Sequence, residues 1–95
     1  MEIVINRCYG AFGLSGEDWK YLAKFGIGIP TPFWESYEAR TSPILVACIR
    51  ELGYAAGANN SQLEIVNVLE PYWTIVNHYG LERIIASNSP ITFYY

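Results

Sequence analysis

Ninety-five residues with six basic and nine acidic side chains give a net charge of −3, and 52% of the chain is apolar. The length fits one small domain spanning 1–95, which buries roughly 60–65% of its unfolded surface. The scattered singletons Arg7, Lys20, Lys24, Arg40, Arg50 and Arg83 argue against nucleic-acid binding, which draws on clustered positive charge.

Residues 2–7 alternate, with Ile3 and Ile5 on one face and Val4 on the other, and predict a strand. Gly10 and Gly13 end it. Ser15 then reads as an N-cap, with Asp18 at the capping-box position and Glu17 beside it to complement the dipole. The expected helix covers 16–25, carries Trp19, Leu22 and Ala23 as its buried stripe, and stops at Gly26. Residues 27–40 hold Pro30 and Pro32 and the aromatics Phe33, Trp34 and Tyr37, and predict an irregular loop. Ser42-Pro43 starts a second helix, with Leu45, Cys48, Ile49 and Leu52 inward and Gly53 at its end. A loop follows over 54–61.

Residues 62–69 and 72–79 predict two strands joined through Glu70-Pro71 as an antiparallel hairpin. Gly80 ends the second of them, 81–86 reads as a short helix, and 91–95 as a last strand or an edge open to another copy. The expected fold is α+β: a small antiparallel or mixed sheet of three to four strands with two main helices on one face, in the order β-α-α-β-β-(α)-β. No secretory signal or bilayer-length apolar run is present, so a cytoplasmic protein with free Cys8 and Cys48 and no membrane association is expected.

The run Ile3-Val4-Ile5-Asn6-Arg7-Cys8-Tyr9-Gly10-Ala11-Phe12-Gly13-Leu14-Ser15 resembles the opening of a group of small uncharacterised proteins of tailed phages and prophages. That group opens with a strand, then Cys, an aromatic, Gly-Gly-Phe, and Leu-Ser entering a helix. Residues 40–53, 63–68 and 72–84 look similar too, whereas Ala11 stands where a second Gly is usual. The resemblance implies a viral accessory protein acting in the cytoplasm of a bacterial host.

Candidate positions fall into two sets. The aromatic-acidic loop offers Trp34 and Tyr37 as anchors and Glu35 and Glu38 as acids, with Glu17 and Asp18 nearby in type, a combination suited to a basic host-protein surface. Residues 10–15 combine a glycine loop with a helix start, where Gly10, Gly13 and Ser15, helped by Arg7 or Arg40, suit an anion. A Cys8 nucleophile would have to pair with His78, the one histidine, with no acid placed to orient it, and no spacing suits a metal. No catalytic residue, metal site or cofactor is therefore expected. The sequence reads as a non-enzymatic phage protein that inhibits a host factor, such as a CRISPR effector of antiviral defence. A protein that sequesters a nucleotide signal, and a structural or virion-associated homo-oligomer, remain as alternatives.

Overall fold

β-branched residues open the chain, and in the computed structural model, which describes residues 1–28 and 31–90, they form strand β1 at Glu2–Asn6. Helix α1 follows at Gly16–Ala23 and helix α2 at Pro43–Leu52, with short 3-10 turns at Pro32–Glu35, Tyr37–Thr41 and Gly53–Ala55. Strands β2 (Leu63–Asn67), β3 (Tyr72–His78) and β4 (Leu81–Ser87) complete the α+β fold. Among the described residues no helix is long and apolar enough to cross a membrane.

The four strands form two separate antiparallel pairs, β1–β2 and β3–β4, where one sheet was expected. β2 does not turn back onto β3 through Glu70-Pro71. Its register instead sets Ile3 opposite Val66 and Ile5 opposite Glu64, and Val68 N–H donates to the Met1 carbonyl at 2.8 Å, extending the ladder. The expected helix at 81–86 is strand β4, paired with β3 from Tyr72↔Ser87 to His78↔Leu81. Tyr79 and Gly80 form the two-residue connection, both with positive φ (53° and 92°), the conformation that matches hairpin twist. The strand expected at 91–95 lies outside the described residues.

Register assigns the faces. Ile3, Ile5 and Val68 form one buried cluster with Trp73, Ile75 and Ile84 of the β3–β4 hairpin. Val4, with Leu63 and Ile65 beside it, belongs to a second cluster built from Leu22 of α1 and Leu45, Cys48 and Ile49 of α2. The β1–β2 pair is thus the middle layer, with helices on one side and the hairpin on the other. Ile3, Val4 and Ile5 are at most 1% exposed, which explains why both faces of β1 are apolar. Each such side chain contributes roughly 1.5–3 kcal/mol of burial.

Both helix starts bear on the site. At α1 the expected capping box forms: Ser15 Oγ accepts from Asp18 N–H at 3.1 Å and Asp18 Oδ2 accepts from Ser15 N–H at 2.7 Å. The inward face differs from expectation, since Ala23 is exposed, Trp19 half-buried, and Asp18 fully buried beside Leu22. At α2 the Ser42 hydroxyl caps nothing. Pro43 sets the first turn, and the Ser42 carbonyl accepts from Val46 N–H at 2.9 Å.

Candidate functional site

An edge strand must hide its unpaired backbone groups, and β1 does so with a buried ion pair. Odd-numbered β1 residues bond to β2, as the Arg7 N–H to Gln62 carbonyl contact at 2.8 Å continues, so the groups of Val4 and Asn6 point away from it. Arg40 Nη1 donates to the Val4 carbonyl at 3.3 Å, and Glu82 Oε1 accepts from Asn6 N–H at 2.8 Å. Arg40 and Glu82 join as a two-pronged pair at 2.6 and 3.0 Å. Both are 1% exposed, so the pair ties the helical layer to the hairpin across the open edge of β1. The guanidinium also lies over the Phe12 ring at 3.5 Å, while its Nε has no partner among the described residues.

This lock sits under the aromatic-acidic segment. Trp34 is half-buried and packs against the helical core, with Phe33 edge-on to it at a ring separation of 5.3 Å. Glu35 Oε2 accepts from Leu14 N–H at 3.2 Å, fixing the first 3-10 turn to the approach of α1. Arg40, one turn on, donates to the Glu35 carbonyl at 3.5 Å. Between these anchors Phe33 and Tyr37 stay 49% and 47% exposed, and Glu38 is exposed beside them. Segment 33–38 therefore divides its aromatics: Trp34 is core, and Phe33 and Tyr37 are surface.

Glu17 is exposed and bonds Lys20 at 3.1 Å. Asp18 is withdrawn from any binding surface. Its Oδ2 accepts from Gly57 N–H at 2.7 Å, and its Oδ1 lies 3.4 Å from Cys48 Sγ. Burial first, and then the charge and hydrogen bond of Asp18, push the Cys48 thiol up to about 12.

The glycine loop is occupied by protein. Asn6 Nδ2 donates to the carbonyls of Cys8, Gly10 and Gly80 at 2.9, 2.7 and 2.8 Å, tying loop and hairpin end together. A Cβ on Gly10 would lie 1.7 Å from the Asn60 carbonyl oxygen, so the glycine serves a close backbone crossing. The Gly13 carbonyl accepts from Ala58 N–H and Ser61 Oγ, at 2.9 and 3.0 Å. Leu14 N–H already has the Glu35 carboxylate, and Ser15 N–H that of Asp18. Two donors that an anion would use here are thus filled. Arg40 is likewise committed to Glu82, and of the expected anion-binding set only Arg7 is exposed, paired with Glu64 at 3.1 Å.

Sequence reasoning passed over Glu82 and Asn6. The signal for Glu82 was an acid on the inward face of a strand, between Ile84 and the Asn77 position opposite, and it was hidden by reading 81–86 as helix. Among the described residues no group of three or more His, Cys, Asp and Glu side chains is placed to hold a metal ion. No protein-family model, curated protein or solved structure matches the chain.

Proposed function

We propose that this chain is a non-enzymatic phage accessory protein that binds and inhibits a host factor in the bacterial cytoplasm, through the surface of residues 33–38. The observation that supports this reading is the pairing of exposed aromatics with a fixed frame. Phe33 and Tyr37 face outward at 49% and 47% exposure, on turns pinned by Trp34, Glu35 and Arg40. Rings held in place before binding lose little conformational entropy on docking, and aromatic anchors carry much of the energy of protein interfaces. Glu38 beside them, on a chain of net charge −3, suits a basic partner. A nucleic-acid-binding protein of antiviral defence, such as a CRISPR effector, presents such a surface, and carboxylates there would stand in for phosphates.

Nucleotide sequestration at residues 10–15 has less support, because Leu14 and Ser15 N–H already donate to the Glu35 and Asp18 carboxylates. The test is to assay a purified basic target for inhibition by wild type, Tyr37→Ala and Glu38→Lys. Loss of inhibition in both variants, with unfolding midpoints unchanged, supports the reading. Full inhibition by the double variant sinks it.

A further inference from the structure

A groove of about 580 Å³ opens beside the end of the β3–β4 hairpin, lined by Arg7, Val76, His78, Leu81, Glu82 and Arg83. The hairpin register builds most of it. Val76 faces Arg83 and His78 faces Leu81 across the strands, all on the side turned away from Trp73, Ile75 and Ile84. Two of the chain's six basic residues and its one histidine thus surround a single concave surface on an acidic protein. The Glu82 side chain belongs to the opposite, inward face at 1% exposure and is paired with Arg40 at 2.6 Å, so it presents little negative charge to the groove. Arg83 is exposed and forms no ion pair among the described residues. Arg7 is held by a half-exposed partner, Glu64, at 3.1 Å, a contact that a stronger anion can displace. Val76 and Leu81 supply apolar wall between the charges.

Two exposed tyrosines lie at this end of the hairpin, one of them against a lining residue of the groove. Tyr79 is 82% exposed and meets His78 edge-on at a ring separation of 4.7 Å. Tyr9 is 67% exposed, and its backbone lies against Gly80: a Cβ there would be 2.6 Å from the Tyr9 carbonyl oxygen. Tyr79 has φ of 53°, a left-handed position where hairpins favour Asn, Asp or Gly.

We infer that this groove binds a nucleoside phosphate, with Arg7 and Arg83 on the phosphate and the Tyr79 ring, edge-on to His78 of the groove lining, beside the base. Guanidinium forks match phosphate oxygens two at a time, and tyrosine faces stack on any base. The volume exceeds what a bare inorganic anion fills. The site shares no residue with segment 33–38, so it stands or falls independently of the host-factor reading.

The test is a titration of the full chain with AMP, adenosine and inorganic phosphate, followed by amide and His78 ring resonances. AMP is expected to give saturable shifts confined to residues 7–10 and 76–83, and to bind at least roughly tenfold tighter than adenosine or phosphate. Arg83→Ser is expected to weaken AMP by roughly tenfold, and Arg83→Lys by less. Glu64→Gln, which releases Arg7, is expected to strengthen AMP binding by about threefold, a gain that a damaged fold would not produce. Unsaturable shifts, AMP affinity no better than that of phosphate, or indifference to both Arg83→Ser and Glu64→Gln would each overturn the assignment.

Discussion

Removing the Glu82 carboxylate is expected to cost more stability than any surface substitution, and the structure sets the size of the loss. Glu82→Leu deletes acceptors for Arg40 Nη1 at 2.6 Å, Arg40 Nη2 at 3.0 Å and Asn6 N–H at 2.8 Å. It leaves a guanidinium that is 1% exposed without its counter-charge. Breaking a buried pair from one side typically costs about 3–5 kcal/mol. A chain of this length has about 5–14 kcal/mol to lose, so the variant should remain folded in the cold and unfold early on heating. At about 4–8 °C per kcal/mol the midpoint falls by at least ~12 °C. Arg40→Met strands the acid in the same way and should cost about as much. The double variant, Arg40→Met with Glu82→Leu, removes both charges and leaves the outward groups of Val4 and Asn6 unpaired, at about 1–3 kcal/mol each. It is therefore expected to lose less than the two single variants together, with a coupling of about 2 kcal/mol or more. Urea unfolding followed by circular dichroism, at low and high salt, measures all four proteins. Single losses below about 1 kcal/mol that simply add, or that vanish in salt, would refute the reasoning, because that is the behaviour of a solvent-exposed pair.

Burial of Cys48 makes stability fall in alkali. Its folded pKa of about 12 lies above the ordinary thiol value, so the stabilisation is complete below that value and is lost as pH rises toward 12. By pH 10 the loss is about 1.4 kcal/mol, measured from an ordinary thiol pKa of 9.0, and Cys48→Ala should flatten that part of the pH profile. A thiol reagent should label half-buried Cys8 first and reach Cys48 only on unfolding. Gly10→Ala should destabilise by about 2 kcal/mol or more, since the new Cβ meets the Asn60 carbonyl at 1.7 Å, whereas Gly16→Ala, with open space around it, should be tolerated; thermal melts separate the two. Trp34→Ala should cost about 2–4 kcal/mol in chemical unfolding, as a half-buried aromatic of the core, and Tyr37→Ala under about 1 kcal/mol.

Local signals carried the parts of the fold that local physics controls. The alternation of Ile3, Val4 and Ile5, the Ser15–Asp18 box and the Ser42-Pro43 start each mark an element that forms where the pattern puts it. Pairing was harder to read, because it depends on which edges meet. Glu70-Pro71 has the length of a hairpin turn, yet the ladder from β1 continues through Val68 and carries the chain past that point into another layer. Leu81, Ile84 and Ile85 sit at helical spacing, and Glu82 on an inward face breaks the alternation that would have marked a strand. Tyr79 at the turn, in place of the usual Asn or Asp, hid the hairpin further. Residue type marked Trp34 and Tyr37 as the anchors of the candidate site; Tyr37 and Glu38 are exposed, whereas Trp34 packs against the core and Phe33, not singled out, faces outward. What was not legible is that Asp18 and Arg40 would be consumed indoors, since their partners, Cys48 with Gly57 and Glu82, lie 30 or more residues along the chain.

The measurement closest to the central claim is native mass spectrometry of wild type and of a Phe33→Ser, Tyr37→Ser, Glu38→Lys triple variant, each captured from a bacterial host lysate. A stoichiometric host protein should ride with wild type and be absent from the triple variant, while both melt within a few degrees of one another. The purified partner, added back, should lose its activity to wild type alone. Equal retention by both proteins, or a partner whose activity is untouched, would contradict the account.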